Sequence, residues 1–186
     1  MNLFEKFQLG LSYNDFLSRY ATDDQKKRWW QVHEQIKLTE SQRLLLASFR
    51  REMNALCLAG AWCGDCINQC PAFGHFAAAA PVTHLRFLDR DDHADVQREL
   101  QINGGDRVPV LVFFSEDGFE VARYGERTLS KYRQLMRDQA GPSCPTGLVI
   151  PADSLLSQVT QDWLNEFERV QWLLRLSPRL RQKHGD

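Results

Sequence analysis

Two cysteines separated by two residues, Cys63 and Cys66, are the side chains whose type and spacing point most directly to chemistry. They enclose Gly64 and Asp65 and follow Trp62, after an apolar run and before a segment with helical character. A thiol at the N-terminus of a helix faces unpaired backbone amides and the positive end of the helix dipole, which stabilise a thiolate. The motif therefore predicts a nucleophilic thiol and thiol–disulfide exchange.

A proline stands near the start of a second apolar segment, residues 107–114. Pro109 has no amide proton for a sheet ladder, so it fits a central strand only at the first residue or in a special bend. A CxxC motif after one strand and an X-Pro pair before another together resemble the thioredoxin superfamily. In that family the proline is cis and lies against the cysteines. The resemblance thus implies that Val108 and Pro109 form the floor of a substrate groove.

Further landmarks follow in the order that the resemblance requires. Pro71 stands where thioredoxins kink the active-site helix, and residues 116–118 are typical of a hairpin turn. Gly125 and residues 129–131 resemble the family's glycine and the start of its final helix. The resemblance covers a little over half of the chain, roughly residues 40 to 140.

The composition is that of a globular protein. The chain has 186 residues, 43% of them apolar, and a formal net charge of −1. These values favour one compact domain with additions, and they favour neither disorder nor a basic face for nucleic acid. The N-terminal residues lack the pattern of an export signal, and no segment approaches the roughly 20 apolar residues of a membrane span. We therefore expect a cytoplasmic protein without a membrane partner, in which a CxxC motif is catalytic or metal-binding.

Short strands alternating with helices predict an α/β domain, as the resemblance requires. We expect a thioredoxin-like fold with a central mixed β-sheet flanked by helices and with extra helices at both termini. The expected divisions are an N-terminal helical extension over 1–38, a thioredoxin-like core over 39–141, and a linker with a C-terminal amphipathic helix packed on the same domain over 142–186.

Three helices are predicted before the first strand. They begin after Ser12, Thr22 and Thr39, and the last two have Gln25 and Gln42 at the third helical position, which is typical of a capping box. The remaining predicted elements are strands over 55–60, 83–88, 108–114 and 119–124, and helices over 66–80, 93–100 and 129–139.

The C-terminal part begins with a linker over 141–147, in which Cys144 is expected to be an isolated surface thiol. Asp153 is the predicted cap of a helix with an apolar stripe that needs a partner. We expect the N-terminal helices to be that partner, with a second protein chain as the alternative. The residues of this apolar stripe are Leu156, Val159, Trp163, Phe167, Val170 and Leu174.

The tail over 175–183 carries four basic residues, which are expected to be solvated.

The cysteine pair has a predicted order of action. The Cys63 thiolate attacks a substrate disulfide, and Cys66, one helical turn along and more buried, resolves the mixed disulfide. Trp62 would shield the pair and contact substrates. A structural zinc site is the alternative, but zinc normally takes four ligands and no second CxxC or HxxxH pattern is present.

Two residues depart from the family pattern. Asp65 makes the intervening dipeptide Gly-Asp rather than Gly-Pro, and its carboxylate either opposes thiolate formation at Cys63 or points into solvent. Cys57 stands where thioredoxins usually bury an aspartate that assists the resolving cysteine. A thiol there supplies no comparable general base at neutral pH, so we expect a small buried residue.

Cys70 lies four residues after Cys66 and hence on the same helix face. It could receive the disulfide from Cys66, or join Cys57, Cys63 and Cys66 as a soft ligand set for zinc or an iron–sulfur cluster. Inert burial is the expectation, because a disulfide within a regular helix is strained.

The histidines and acidic residues give weaker signals. His75, His84 and His93 show no metal-ligand spacing, and a structural role is expected for His33. The acidic residues between 89 and 95 are expected to form a solvated loop and a helix N-terminus.

The sequence thus predicts a thiol–disulfide oxidoreductase that acts on protein disulfides through Cys63 and Cys66. It needs no bound cofactor, and the resemblance implies an external reductant such as a thioredoxin reductase. The alternatives are a non-catalytic binding module with a redox-sensitive CxxC latch, and a carrier of zinc or an iron–sulfur cluster. Trp62, Gly64, Asp65, Val108 and Pro109 are the predicted substrate-binding residues.

Overall fold

The computed structural model describes residues 1–140 and 154–186, which form a mixed four-stranded sheet flanked by helices. The strands lie in the order β2-β1-β3-β4; β1 is parallel to β2 and antiparallel to β3, which is antiparallel to β4. The thioredoxin-like α/β fold expected from the sequence is confirmed. The strands are β1 (Met53–Ala59), β2 (Thr83–Asp89), β3 (Val110–Ser115) and β4 (Glu120–Gly125).

The two central strands are buried along their whole length, as continuous apolar runs predict. β3 begins at Val110, two residues later than predicted, because Pro109 cannot donate to the ladder and stands just before the first paired residue. β1 begins two residues earlier than predicted, at Met53. Its residue Cys57 lies between Phe87 and Leu111 of the neighbouring strands.

Nine helices are present in residues 1–140 and 154–186. Ser12, Thr22 and Thr39 are N-caps as predicted, and both capping boxes form. The helices are α1 (Leu3–Leu9), α2 (Tyr13–Tyr20), α3 (Asp23–Gln35), α4 (Glu40–Ala47), α5 (Gly64–Ala79), α6 (Ala94–Glu99), α7 (Leu129–Ala140), α8 (Leu155–Leu176) and α9 (Pro178–His184).

The sequence did not predict α1, so four helices rather than three precede β1. This seven-residue helix is capped by Asn2, and the rings of Phe4 and Phe7 lie 5.5 and 6.3 Å from that of Phe114 in β3. After it, the backbone of Leu11 exchanges two hydrogen bonds with that of Phe87 at the edge of β2. The N-terminal segment is therefore packed on the sheet and paired with its edge.

The apolar stripe of α8 packs against the core rather than against the N-terminal helices, so that prediction is wrong. The Phe167 ring lies 5.1 Å from Phe76 of α5 and 5.0 Å from Phe113 of β3. The Trp163 ring lies 4.6 Å from Phe73 and 4.8 Å from Tyr124. These aromatic residues form one apolar surface only after α5 and the sheet have assembled, so the sequence pattern of α8 could not identify it.

Ser154 is the N-cap of α8. Asp153, the predicted cap, lies outside the described residues, and so do the predicted linker over 141–147 and Cys144. Within the two described ranges, no helix combines the length and the apolar character needed to cross a membrane.

The basic residues of the C-terminal tail are mostly exposed, as predicted for a solvated end, but several of them also form ion pairs that dock the tail. Lys183 and His184 contact Glu116 at 2.5 and 2.8 Å, and Arg179 pairs with Asp117 in the same turn. The turn is the predicted one between β3 and β4, and Gly118 adopts φ +82° there, a conformation that favours glycine. Two further tail ion pairs join the C-terminal Asp186 to Arg51 and Arg175.

Removal of the Phe167 ring is expected to be costly, because this side chain is fully buried between α5 and β3. Phe167→Ala should lower the free energy of unfolding by about 3–5 kcal/mol, the usual range for deleting a core aromatic ring. Leu173→Ala, on the same helix but 45% exposed, is the matched control and should change it by about 0.5 kcal/mol or less. Urea unfolding measures both, and equal losses would contradict the assigned packing of α8.

A second prediction concerns the pH dependence of tail docking. Burial opposes ionisation of Glu116, but hydrogen bonds from Lys183 and His184 outweigh it and lower the pKa of Glu116 below its ordinary 4.5. A carboxyl group with a lowered folded-state pKa stabilises the fold above the unfolded value and loses this contribution as pH falls through the folded value. Glu116→Gln should therefore lower Tm near neutral pH, and the difference from wild type should shrink on acidification to about pH 3.

Thermal unfolding monitored by circular dichroism across this pH range is the measurement. Glu34→Gln is a suitable control, because Glu34 is exposed and makes no ion pair in the part of the chain that the structure describes. If the Glu116→Gln difference stays constant with pH, the tail ion pairs do not make the expected contribution.

Candidate active site

Cys63 is the N-cap residue of α5. The helix begins at Gly64, not at Cys66 as predicted, and the Cys63 sulfur accepts a hydrogen bond from the Cys66 amide at 3.4 Å. This thiol is half-buried. An amide donor and the positive end of a 16-residue helix both favour negative charge on the sulfur.

The sulfur faces the bend that precedes β3. The Val108–Pro109 peptide bond is cis, the geometry that the resemblance implies, and both residues are buried. The Cys63 thiol donates to the Val108 carbonyl oxygen at 3.6 Å. Gly125 of β4 packs closely against this bend. A side chain would not fit there, because a Cβ atom at Gly125 would lie 2.6 Å from the Pro109 oxygen. The structure thus brings Cys63, Val108 and Pro109 together.

Cys66 lies behind Cys63 and is fully buried. Burial opposes its ionisation, but the interaction with the Cys63 thiol and a hydrogen bond at 3.5 Å from the Gly60 amide outweigh burial and lower the pKa of Cys66. The interaction with Cys66, together with burial, raises the pKa of Cys63. The pair therefore loses one proton readily and holds the second. When the remaining proton is on Cys66, the accessible Cys63 sulfur is a thiolate and acts as the nucleophile.

Trp62 presents a fixed aromatic surface beside the pair. Its side chain is 45% exposed, its indole N–H donates to Asp91 at 3.2 Å, and the Arg90 guanidinium lies 4.5 Å from the ring centroid. On the inner side, Gly60 allows the ring to lie close, because a Cβ there would be 2.8 Å from it. Trp62 is thus held at the surface, where an incoming polypeptide can contact it. Gly64, by contrast, is exposed, with open space where a Cβ would stand.

The Asp65 side chain does not point into solvent. Its side chain is 19% exposed and pairs with Arg127, with nitrogen–oxygen distances of 2.7 and 2.9 Å. The hydrogen bond from Arg127 to Asp65 raises the pKa of Arg127. The prediction that Asp65 points into solvent is therefore wrong, because it did not consider a partner 62 residues away in sequence. The charge of Asp65 raises the pKa of Cys66, so the carboxylate opposes ionisation within the pair.

Sequence reasoning missed Arg127 and the two charged residues next to this ion pair, Glu126 and Arg107. Arg127 also contacts the buried carboxylate of Glu126 at 3.5 Å, and Arg107 approaches the same carboxylate at 3.8 Å. The Tyr132 hydroxyl donates to Glu126 at 3.0 Å. Arg107 precedes Val108, and residues 126–127 follow the glycine landmark. Adjacency to these landmarks was the signal that could have found them.

The acidic residues after β2 make structural contacts. The prediction of a solvated loop and helix N-terminus is wrong for Asp89, which is buried, whereas Asp91, Asp92 and Asp95 are exposed as predicted. Asp89 is buried and accepts backbone amides of Asp91 and Asp92, while burial raises the pKa of Asp89. Asp92 accepts the Tyr20 hydroxyl, and Asp95 pairs with Lys6 of α1. These contacts stabilise the loop that holds Asp91, the hydrogen-bond partner of the Trp62 indole.

Two further cysteines lie in the core beneath the pair. Cys57 and Cys70 are both fully buried, as expected, and their sulfurs are 3.9 Å apart. The His33 and His75 rings stack at 4.1 Å, away from any ligand set. Among the described residues, no three His, Cys, Asp or Glu side chains converge in a way that could hold a metal ion.

Comparison with known proteins bears on the family and the fold. A family model described as thioredoxin matches residues 10–139. A Pseudomonas aeruginosa protein of unknown function is similar in structure, with 14% identity, 88% of this chain and 93% of that chain covered, and a TM-score of 0.67. An HIV epitope-scaffold protein gives 13% identity, coverage of 91% and 97%, and a TM-score of 0.70. No curated protein matches.

Loss of the Arg127 partner is expected to slow Cys63. Arg127→Gln leaves the Asp65 carboxylate unpaired, and its charge raises the pKa of Cys66 and opposes ionisation of the pair. The rate of Cys63 alkylation by iodoacetamide at neutral pH should fall about twofold to fivefold, corresponding to an ion pair of roughly 0.5–1 kcal/mol. Measurement of the rate as a function of pH separates an effect on ionisation from one on access.

The double variant Asp65→Asn/Arg127→Gln removes both charges and should restore the wild-type rate. Arg123→Gln, which removes a surface arginine paired with Glu120 and Glu99, is the control for loss of positive charge and should have no effect. An equal fall in the single and double Arg127 variants would show that Arg127 acts through packing and not through charge.

Proposed function

The chain belongs to the thioredoxin superfamily, and on this basis we propose that it is a thiol–disulfide oxidoreductase that exchanges protein disulfides through Cys63 and Cys66. The observation that carries the proposal is the position of the Cys63 sulfur. It is accessible, it caps α5, and it lies 3.6 Å from the carbonyl oxygen of Val108 with Cys66 directly behind it.

The proposed reaction has two displacements. The Cys63 thiolate attacks one sulfur of a substrate disulfide, a mixed disulfide forms, and the other substrate sulfur leaves as a thiolate and takes up a proton. The Cys66 thiol then loses its proton and attacks the Cys63 sulfur. A Cys63–Cys66 disulfide forms, and the second substrate sulfur leaves and is protonated. The substrate gains two electrons and two protons, and the cysteine pair loses them.

The Val108 carbonyl is suited to hold the substrate. In the free site it accepts the Cys63 thiol proton, and this proton is absent once Cys63 is a thiolate or part of a mixed disulfide. The oxygen is then available to a backbone amide of an extended substrate segment. Trp62 and Arg107, whose side chains are 45% and 54% exposed, are the proposed rim contacts. This arrangement supports polypeptide substrates.

In the resolving step, Cys66 attacks the mixed disulfide at Cys63, and the group that stabilises its thiolate differs from the one usual in the family. Cys57 replaces the aspartate that the family usually buries, so no carboxylate is supplied from that position. The Gly60 amide instead donates directly to the Cys66 sulfur and favours its thiolate. We propose that this donor stabilises Cys66 when it resolves the mixed disulfide, with its proton passing to the leaving substrate thiolate.

Turnover requires a dithiol donor that returns Cys63 and Cys66 to thiols. The family resemblance suggests a thioredoxin reductase as this partner, acting in a reducing compartment such as the cytoplasm. No bound cofactor enters the proposed reaction.

Insulin reduction with dithiothreitol as the reductant tests the proposal. Wild type should turn over, Cys63→Ser should lose more than about 100-fold of the rate because the nucleophile is gone, and Cys66→Ser should accumulate a mixed disulfide through Cys63. Cys144→Ser is the matched control and should keep wild-type activity. Mass spectrometry of the trapped species identifies the bonded cysteine.

Negligible turnover by wild type, with a protein partner bound independently of Cys63, would replace the enzyme proposal with that of a redox-sensitive binding module. Equal turnover by wild type and Cys63→Ser would show that another group is the nucleophile.

A further inference from the structure

Cys57 and Cys70 form a second pair of thiols that the proposed reaction does not use. Cys57 is on β1, Cys70 is on α5, and their sulfurs are 3.9 Å apart in the core. Cys66 lies between Cys63 and Cys70 along the start of α5, and both neighbouring thiols shift its pKa. The four thiols therefore form a continuous series from the surface inward, in the order Cys63, Cys66, Cys70 and Cys57.

We propose that Cys57 and Cys70 are a second redox-active pair, which receives the disulfide formed at Cys63 and Cys66. The inference rests on the proposed function, because the surface pair must first be oxidised by a substrate. It adds to that function an internal acceptor for the disulfide.

The distances permit each bond. A disulfide requires sulfurs about 2.05 Å apart, so the Cys57 and Cys70 sulfurs must approach by roughly 1.9 Å, which side-chain rotation can supply. Cys66 and Cys70 are one helical turn apart, with Cα atoms separated by about 6 Å, inside the range that disulfides span. The strain of a bond within a helix suits Cys66–Cys70 to a transient intermediate and Cys57–Cys70 to the final product.

The transfer consists of two exchanges. The Cys70 thiol loses its proton and attacks the Cys66 sulfur of the Cys63–Cys66 disulfide. A Cys66–Cys70 bond forms, and Cys63 leaves as a thiolate that takes up the proton. Cys57 then loses its proton and attacks Cys70, a Cys57–Cys70 bond forms, and Cys66 leaves and is protonated. Two thiols are oxidised and two are regenerated, so no further oxidant is needed.

Tyr13 supplies a polar group on this path. Its hydroxyl is buried and has no hydrogen-bond partner among the described residues. Its ring packs 3.8 Å from the Cβ position of Gly74, one turn after Cys70 on the same helix. Burial first, and then the charge of a Cys70 thiolate, raise the pKa of Tyr13, so the hydroxyl remains a donor.

The consequence is a capacity for two substrate disulfides per chain without an external reductant. The test uses fully reduced protein in a Cys144→Ser background, freed of reductant and mixed under native conditions with an excess of dithiobis(nitrobenzoic acid). Each oxidised cysteine pair releases two equivalents of coloured nitrothiolate. Wild-type thiols at 57, 63, 66 and 70 should release four equivalents, whereas Cys70→Ala and Cys57→Ala/Cys70→Ala should release two.

The outcomes separate this inference from the proposed function. Two equivalents from the wild-type thiols would overturn the inner pair and leave the surface pair intact, and fewer than two would overturn the proposed function as well. The control Cys63→Ser/Cys66→Ser keeps only the inner thiols and should release nothing on the timescale of the others. Rapid release from this control would show direct oxidation of Cys57 and Cys70, and would overturn transfer through Cys66.

Disulfide mapping of the same protein without inner-pair substitutions gives an independent result. After reaction with one equivalent of reagent per chain, acid quenching and alkylation, chymotryptic cleavage at Trp62 separates Cys57 from the other cysteines. Mass spectrometry should then find Cys57 linked to Cys70, with Cys63 and Cys66 alkylated. Persistence of a Cys63–Cys66 bond with both inner thiols alkylated would overturn the transfer.

Discussion

The contact between the N-terminus of α5 and the Val108–Pro109 bend is the interaction on which the candidate site depends. The bend brings a carbonyl oxygen to 3.6 Å from the Cys63 sulfur, while the helix places an amide on the other side of the same atom. The sulfur is thus held between a donor and an acceptor. β1 leads into α5, which carries the amide donor, and β3 follows the Val108–Pro109 bend, which carries the carbonyl acceptor. The pairing of these two central strands therefore sets the geometry of the thiol.

The C-terminal helix is connected to this site through buried polar groups. The Trp163 indole donates to the side-chain oxygen of Gln69 at 2.9 Å, and the Gln69 amide donates to the Glu126 carbonyl at 2.9 Å. Glu126 adjoins Arg127, which pairs with Asp65 between the two cysteines. Buried polar groups are costly unless all are paired, so this series of hydrogen bonds fixes the loop after β4 relative to α5 and α8.

Local sequence signals predicted what they could physically determine. The capping residues Ser12, Thr22 and Thr39 act on amides within three positions, so their patterns alone predicted three helix starts. The resemblance supplied the mixed central sheet and the bend at Pro109. The partner of α8 and the partner of Asp65 depend on surfaces that exist only after folding, and neither was predicted correctly.

The edge of β2 is already occupied by the chain itself. Leu11 satisfies the backbone groups of Phe87 there, with both hydrogen bonds at 2.8 Å. An exposed strand edge is a template for pairing with other molecules and for aggregation. Because the N-terminal segment blocks this template at Phe87, growth of the sheet past β2 into an intermolecular assembly would first require that segment to detach.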